Sequence, residues 1–232
     1  MSHAYLLDSG GRRARVLLEG IYRRLYRAFG PQHWWPGKTP FEVMVGAILT
    51  QNTNWQNVER AITNLDRARL LDPVHLAAAS PRRIASLIRP SGYFNVKARR
   101  LRAFLEWLRK YTDDGDLACF RRIPTARLRD ELLAIPGIGP ETADSILLYA
   151  LKRPVFVVDA YTRRVLVRHG LVPRDASYDA IRSTFESHVR KSVKVYNEYH
   201  ALIVRLGKEV CRPRPQCGHC PLRRFLGPPV VL

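Results

Sequence analysis

Apolar residues recur along this chain at the three- and four-residue spacing of helices, and almost nowhere at the alternation of strands. Residues 41–50 (FEVMVGAILT) are apolar on nearly every side, which predicts a buried central helix. Residues 55–65 carry Val58, Ile62 and Leu65 at helical spacing behind the capping residues Thr53 and Asn54. Ser80 opens a short helix that runs to 88. Residues 96–111 set Leu101, Phe104, Leu105 and Leu108 on one face and Arg99, Arg102, Arg109 and Lys110 on the other. Further helices are predicted over 125–135, 140–151, 160–169, 178–189 and 195–210. The strand-like run 154–158 (PVFVV) is too short and isolated to build a sheet. The expected fold is all-α, with no internal repeat.

Charge narrows the function. Lys plus Arg number 39 against 20 Asp plus Glu, a formal net charge of +19, more than solubility requires. Such an excess suits a polyanion, because each neutralised phosphate releases condensed counterions. A ribosomal or membrane-surface protein would share that balance. No apolar run approaches a membrane span and the N-terminus lacks a signal-peptide core. The expectation is therefore a cytoplasmic, nucleoid-associated monomer with no membrane partner. Three of the four cysteines crowd into 211–220, and in a reducing compartment such crowding favours metal ligation over disulfides.

The most specific segment is 133–143, LAIPGIGPETA. Two helices flank the turn Pro136-Gly137-Ile138-Gly139. Gly137 and Gly139 are expected to supply positive φ and close backbone approach. Ile135 and Ile138 would anchor the turn, and Pro140 suits a first helical turn. The free N–H groups of the turn and of the helix through Thr142 then form a phosphate site that reads no sequence. An ordinary helix–helix turn would use a glycine pair too, but not this whole string.

LAIPGIGPETADSILLYA followed by PVFVVDAYTRRV resembles the helix-hairpin-helix signature of endonuclease III-type DNA glycosylases. The likeness extends from about Pro40 to Cys220. It implies two helical lobes, a barrel of residues 30–152 carrying the hairpin and a second lobe of 1–29 plus 153–232, with the active-site cleft between them. It places Asp159 at the catalytic aspartate. Cleaving an N-glycosidic bond builds an oxocarbenium-like sugar, which a fixed carboxylate stabilises, or whose attacking water it orients. Asp159 also suits the N-cap of the next helix, and both roles hold together. Bifunctional members carry a lysine where this chain has Glu141. A carboxylate forms no Schiff base. The resemblance thus implies a monofunctional enzyme, with Glu141 accessory at most.

The same resemblance makes Gln51-Asn52-Thr53 the polar loop facing the orphan strand. It makes 91–97 (SGYFNVK) the wedge loop, with Tyr93 intercalating and Lys97 near phosphate. Phe94 reads as a core aromatic. Trp34-Trp35-Pro36 is similar to the Trp-Trp-Pro of the 3-methyladenine DNA glycosylase III branch, where aromatic faces hold an electron-poor alkylated purine. Duplex DNA with a damaged base is then the partner, and an alkyl-purine such as 3-methyladenine the favoured lesion. Two rivals stand: a bifunctional glycosylase/lyase on damaged pyrimidines that uses another lysine, and a hairpin protein that only binds DNA structure. Cys211-x5-Cys217-x2-Cys220 resembles the iron–sulfur loop of these enzymes, but no cysteine stands at the fourth position, near Phe225 or Leu226. A three-thiolate [4Fe–4S] cluster with an outside or non-cysteine fourth ligand and a relic loop without metal both stay open.

Overall fold

The computed structural model describes residues 11–34 and 37–230. Those residues form helices and loops without a strand, as the periodicity predicts. The first helix is α1 (Gly11–Phe29). Next come α2 (Pro40–Leu49), α3 (Trp55–Arg67), α4 (Pro73–Ala78), α5 (Pro81–Leu87), α6 (Phe94–Leu108), α7 (Thr125–Leu133) and α8 (Pro140–Ser145). The last are α9 (Ala160–Arg168), α10 (Tyr178–His188), α11 (Val193–Glu209) and the short α12 (Arg223–Leu226). By contacts the chain divides into two compact units. One holds the described residues up to Trp34 and from Pro154 onward, and the other those from Gly37 to Arg153.

In the second of these units α2 is the centre. Thr39 caps it by accepting from the Glu42 N–H, Pro40 fills its first turn, and every residue from Phe41 to Leu49 except Glu42 is buried. Around it pack α3, α6 and α8. Asn54 and Ser80 cap α3 and α5 as their residue types predict. The helix α4 was not expected, and Asp72 caps it by accepting from the His75 N–H. Beyond Ser145 the backbone of α8 widens into a π-helical turn, Ile146–Ala150, whose side chains are all buried. Arg129 on α7 meets the fully buried Asp144 of α8 at 2.7 Å, which fixes how the two helices of the hairpin lie.

The first unit is built around aromatic rings. Phe156 stacks on Phe185 at 3.9 Å, and Tyr196 and Tyr199 meet Phe156 edge-on. The Tyr199 hydroxyl donates to the Leu18 carbonyl of α1 at 2.8 Å. The strand-like run therefore has a purpose without a sheet. Val155, Phe156, Val157 and Val158 are buried one after another, and the Phe156 N–H donates to Glu186 rather than to a neighbouring strand. This anchored segment delivers the chain to Asp159 at the start of α9.

Candidate active site and DNA-contacting elements

Asp159 is the N-cap of α9. Its Oδ1 accepts from the Thr162 N–H at 2.7 Å, and its Oδ2 lies 3.5 Å from His200 Nε2. Only 9% of the residue is exposed. Burial pushes the carboxyl up, but the charge of the adjacent His200 imidazole, with the hydrogen bond from Thr162, outweighs it and holds the group below the ordinary aspartate value. The result is a dry, oriented carboxylate that stays ionised. Sequence reasoning had missed His200. It sits on α11 among Tyr196, Tyr199 and Ile203, where it reads as one more core position, and nothing in the order of residues pairs it with Asp159.

Trp34 packs against His200. Its ring stands edge-on to His200, with centroids 6.5 Å apart, and Lys208 Nζ lies 5.5 Å from the centre of the indole. Its buried Nε1 has no hydrogen-bond partner among the described residues. Trp35 and Pro36, the other two residues of that expectation, lie outside the described residues.

The hairpin turn connects α7 to α8. Ile135 and Ile138 are buried and the Ile138 N–H closes the turn onto the Ile135 carbonyl, so the anchoring is as expected. Pro136 and Gly137 are exposed. Gly137 has φ +85°, and a Cβ there would lie 2.3 Å from Arg100 Nε, so glycine is required twice over. Gly139 departs from the expectation of positive φ. It is the extended N-cap of α8, with φ −94°, and no atom lies within 4 Å of a Cβ built on it. Its missing side chain leaves open space in front of the helix start. Glu141 is exposed in the first turn of α8.

Other residues of the two loops sort differently than their types suggest. Gln51 turns inward: its amide donates to the Gly137 carbonyl at 2.9 Å and to the Thr142 hydroxyl at 3.0 Å, and its oxygen accepts from Arg100. Gln51, buried Thr142 and Arg100 thus brace the hairpin. Asn52 is exposed with φ +52°, and Thr53 is half-buried. Tyr93 is 70% exposed and holds the left-handed conformation, φ +45°, at the start of α6. That is a strained backbone for a large side chain. Phe94 is half-buried beside Arg89. Lys97 requires correction. It is 1% exposed, and its ammonium donates to the Leu49 and Ser91 carbonyls at 2.8 and 2.6 Å. It ties the two loops together from inside and does not meet phosphate. Burial, then the Arg100 charge, pushes it down to about 8.

Cys211, Cys217 and Cys220 line one cavity together with Arg168 and His169. Arg168, also missed from sequence, organises the loop. Its buried guanidinium donates to the Cys211 sulfur at 3.3 Å and to the carbonyls of Cys211, Arg212 and Pro213. Phe225, near the expected fourth position, turns onto α1: its ring packs on Gly20, with the Arg24 guanidinium 3.7 Å from its centre. Among the described residues no group of three or more His, Cys, Asp or Glu side chains is placed to hold a metal ion. The neighbouring Arg212, Arg214, Arg223 and Arg224 are exposed.

Residues 45–191 match the HhH-GPD superfamily of base excision DNA repair proteins. The chain belongs to that family. It is 47% identical over 206 residues to a putative DNA repair glycosylase of Methanocaldococcus jannaschii, covering 88% of this chain and 93% of the relative. It is 28% identical to the endonuclease III of Thermotoga maritima, covering 89% and 91%. Among solved structures it is similar to the 3-methyladenine DNA glycosylase of H. pylori bound to 1,N6-ethenoadenine, with a TM-score of 0.71, 28% identity, and 84% and 97% of the two chains covered. An endonuclease III–DNA complex shares the fold, with a TM-score of 0.76 at 23% identity over 94% and 95%. The protein is thus an HhH-GPD DNA glycosylase of the endonuclease III family. Among the described residues of this glycosylase, no helix is long and apolar enough to cross a membrane.

Proposed function

We propose that this glycosylase is monofunctional and releases alkylated purines, 3-methyladenine foremost, from duplex DNA. The observation that carries the reading is the Asp159 carboxylate, buried, held by Thr162 and next to His200, whose ring meets the Trp34 indole edge-on. In a dry site a fixed anion gains strength against a cation that develops only as the glycosidic bond breaks. Asp159 would stabilise the oxocarbenium-like sugar or orient the water that captures it. Trp34 would stack on the electron-poor base. The similarity to the H. pylori 3-methyladenine DNA glycosylase, which has 1,N6-ethenoadenine bound, supports that substrate class.

Glu141 supports the single activity, since a carboxylate in the first turn of α8 can favour the helix start but cannot attack the sugar as an amine. DNA would be held through the open backbone of Pro136–Gly139, with Asn52 and Thr53 toward the opposite strand and Tyr93 as the wedge that fills the vacated stack. The cysteine loop would carry an iron–sulfur cluster through Cys211, Cys217 and Cys220, holding the surrounding arginines toward DNA.

Borohydride trapping on duplex carrying 3-methyladenine tests the single-activity reading. Free base without a covalent protein–DNA adduct is expected. A strong adduct would instead mark a lyase using another amine, for which Lys208 beside Trp34 is the first residue to replace.

A further inference from the structure

We infer that Lys97 is a positioning residue for the opening of the base stack. Its buried ammonium holds Tyr93 in the exposed, left-handed conformation and fixes the spacing between the Tyr93 loop and the loop of Asn52 and Thr53. The inference rests on the wedge reading above and assigns what keeps the wedge in place.

Tyr93 and Asn52 are exposed tips of two loops, and both hold positive φ, +45° and +52°, without being glycine. A large side chain keeps such a backbone only where its surroundings impose it. At Tyr93 one residue does so from both sides. The Lys97 N–H donates to the Tyr93 carbonyl at 2.9 Å as α6 begins, and the Lys97 ammonium donates to the Ser91 carbonyl, two residues before the tip, at 2.6 Å. Ser91 is itself buried, with its hydroxyl on the Ile88 carbonyl. The same ammonium reaches the Leu49 carbonyl at 2.8 Å. Leu49 ends α2, so this is one of the carbonyls that a helix leaves without an internal partner, at the negative end of its dipole. The chain runs from there into Gln51, Asn52 and Thr53. One turn along α6, Arg100 donates to the Gln51 side chain, whose amide holds the Gly137 carbonyl. Lys97 and Arg100, three positions apart on α6, thus tie three loops to a single helix.

Stability alone does not account for a lysine here. The ammonium is buried, both its hydrogen-bond partners are neutral carbonyls, and the Arg100 charge opposes it. An apolar side chain of that length would fill the same space without the cost of burying a charge. What lysine adds is donors that reach two backbone carbonyls at once, which fixes the course of the loops and not merely their packing.

The test uses a duplex carrying a tetrahydrofuran abasic analogue beside 2-aminopurine. The fluorescence of that base changes as the neighbouring stack is opened, whichever base the enzyme releases. Wild type, Y93A, K97M and Y93A/K97M are compared by stopped flow, with urea stability measured alongside. Y93A and K97M are each expected to slow opening about tenfold, and the double variant no further than Y93A, because Lys97 acts through Tyr93. Release of 3-methyladenine by K97M should fall far less on single strands, which need no wedge, than on duplex. K97Q, one bond shorter and so unable to span both carbonyls, should show the same pattern, and it decides the matter if K97M does not fold. Opening at the wild-type rate, losses that multiply in the double variant, or equal losses on single strands and duplex would overturn the inference. Opening by Y93A at the wild-type rate would overturn the wedge reading, and the inference with it.

Discussion

At the scale of single residues, the proposed function asks Asp159 for charge and Trp34 for stacking. Asp159 is held below its ordinary value, so it adds stability that is present above about pH 4, the unfolded carboxylate's range, and is lost as pH falls through the folded value. The same sign applies to catalysis, which needs the ionised form. Base release by wild type should therefore hold its rate down to the acid end of the folded protein's range. In H200Q the charge that opposes burial is gone, and the acid limb of the pH–rate profile should move to higher pH. An unshifted limb would show that His200 does not set the state of Asp159. Trp34→Ala should reduce 3-methyladenine excision by the loss of roughly 1–3 kcal/mol of stacking, about 5- to 150-fold, with binding to an abasic analogue nearly unchanged. If the indole were only core, truncation would destabilise the fold by roughly 3–5 kcal/mol, and melting temperature and all DNA binding would drop together.

At the scale of elements, the hairpin and the loop that ends in Tyr93 were visible in the sequence because glycine and proline mark them, but their internal wiring was not. Gly137 shows how tight that wiring is: Gly137→Ala forces a side chain into a positive-φ position against Arg100. Affinity for undamaged duplex should fall for every sequence tested while the catalytic step on bound substrate is preserved. A loss confined to one sequence would contradict a backbone phosphate site. Lys97 illustrates the opposite limit. A lysine in a turn reads as exposed, and only the packing of α2 and α6 reveals that its ammonium bridges Leu49 and Ser91. Because its folded value is lowered to about 8, the native chain sheds the proton before the unfolded chain does. Wild-type stability should therefore rise between about pH 8 and the unfolded lysine value near 10.4, whereas K97M should lack that rise in paired urea melts. A decline in wild type relative to K97M would reverse the argument.

Across the whole molecule, helix periodicity and caps place the long helices from α2 to α11 to within a few residues, whereas α1 (Gly11–Phe29) and the short α12 had no predicted range. The exceptions have local causes. The helix α4 spans one and a half turns, too few for periodicity, and the π turn of Ile146–Ala150 follows from packing a wholly apolar segment, which no alternation announces. The carboxylate proposed for catalysis, Asp159, was legible because it ends a recognisable run. Its partner His200 and the loop organiser Arg168 were not, since each acts across more than 40 positions of sequence. The claim on which the rest depends is that Asp159 breaks the glycosidic bond. Single-turnover release of free 3-methyladenine from duplex, by wild type and by D159N with binding measured in parallel, tests it most directly. The account predicts a rate loss of at least about 100- to 1000-fold in D159N, with duplex binding retained or tighter. Near-normal release by a folded D159N would contradict it.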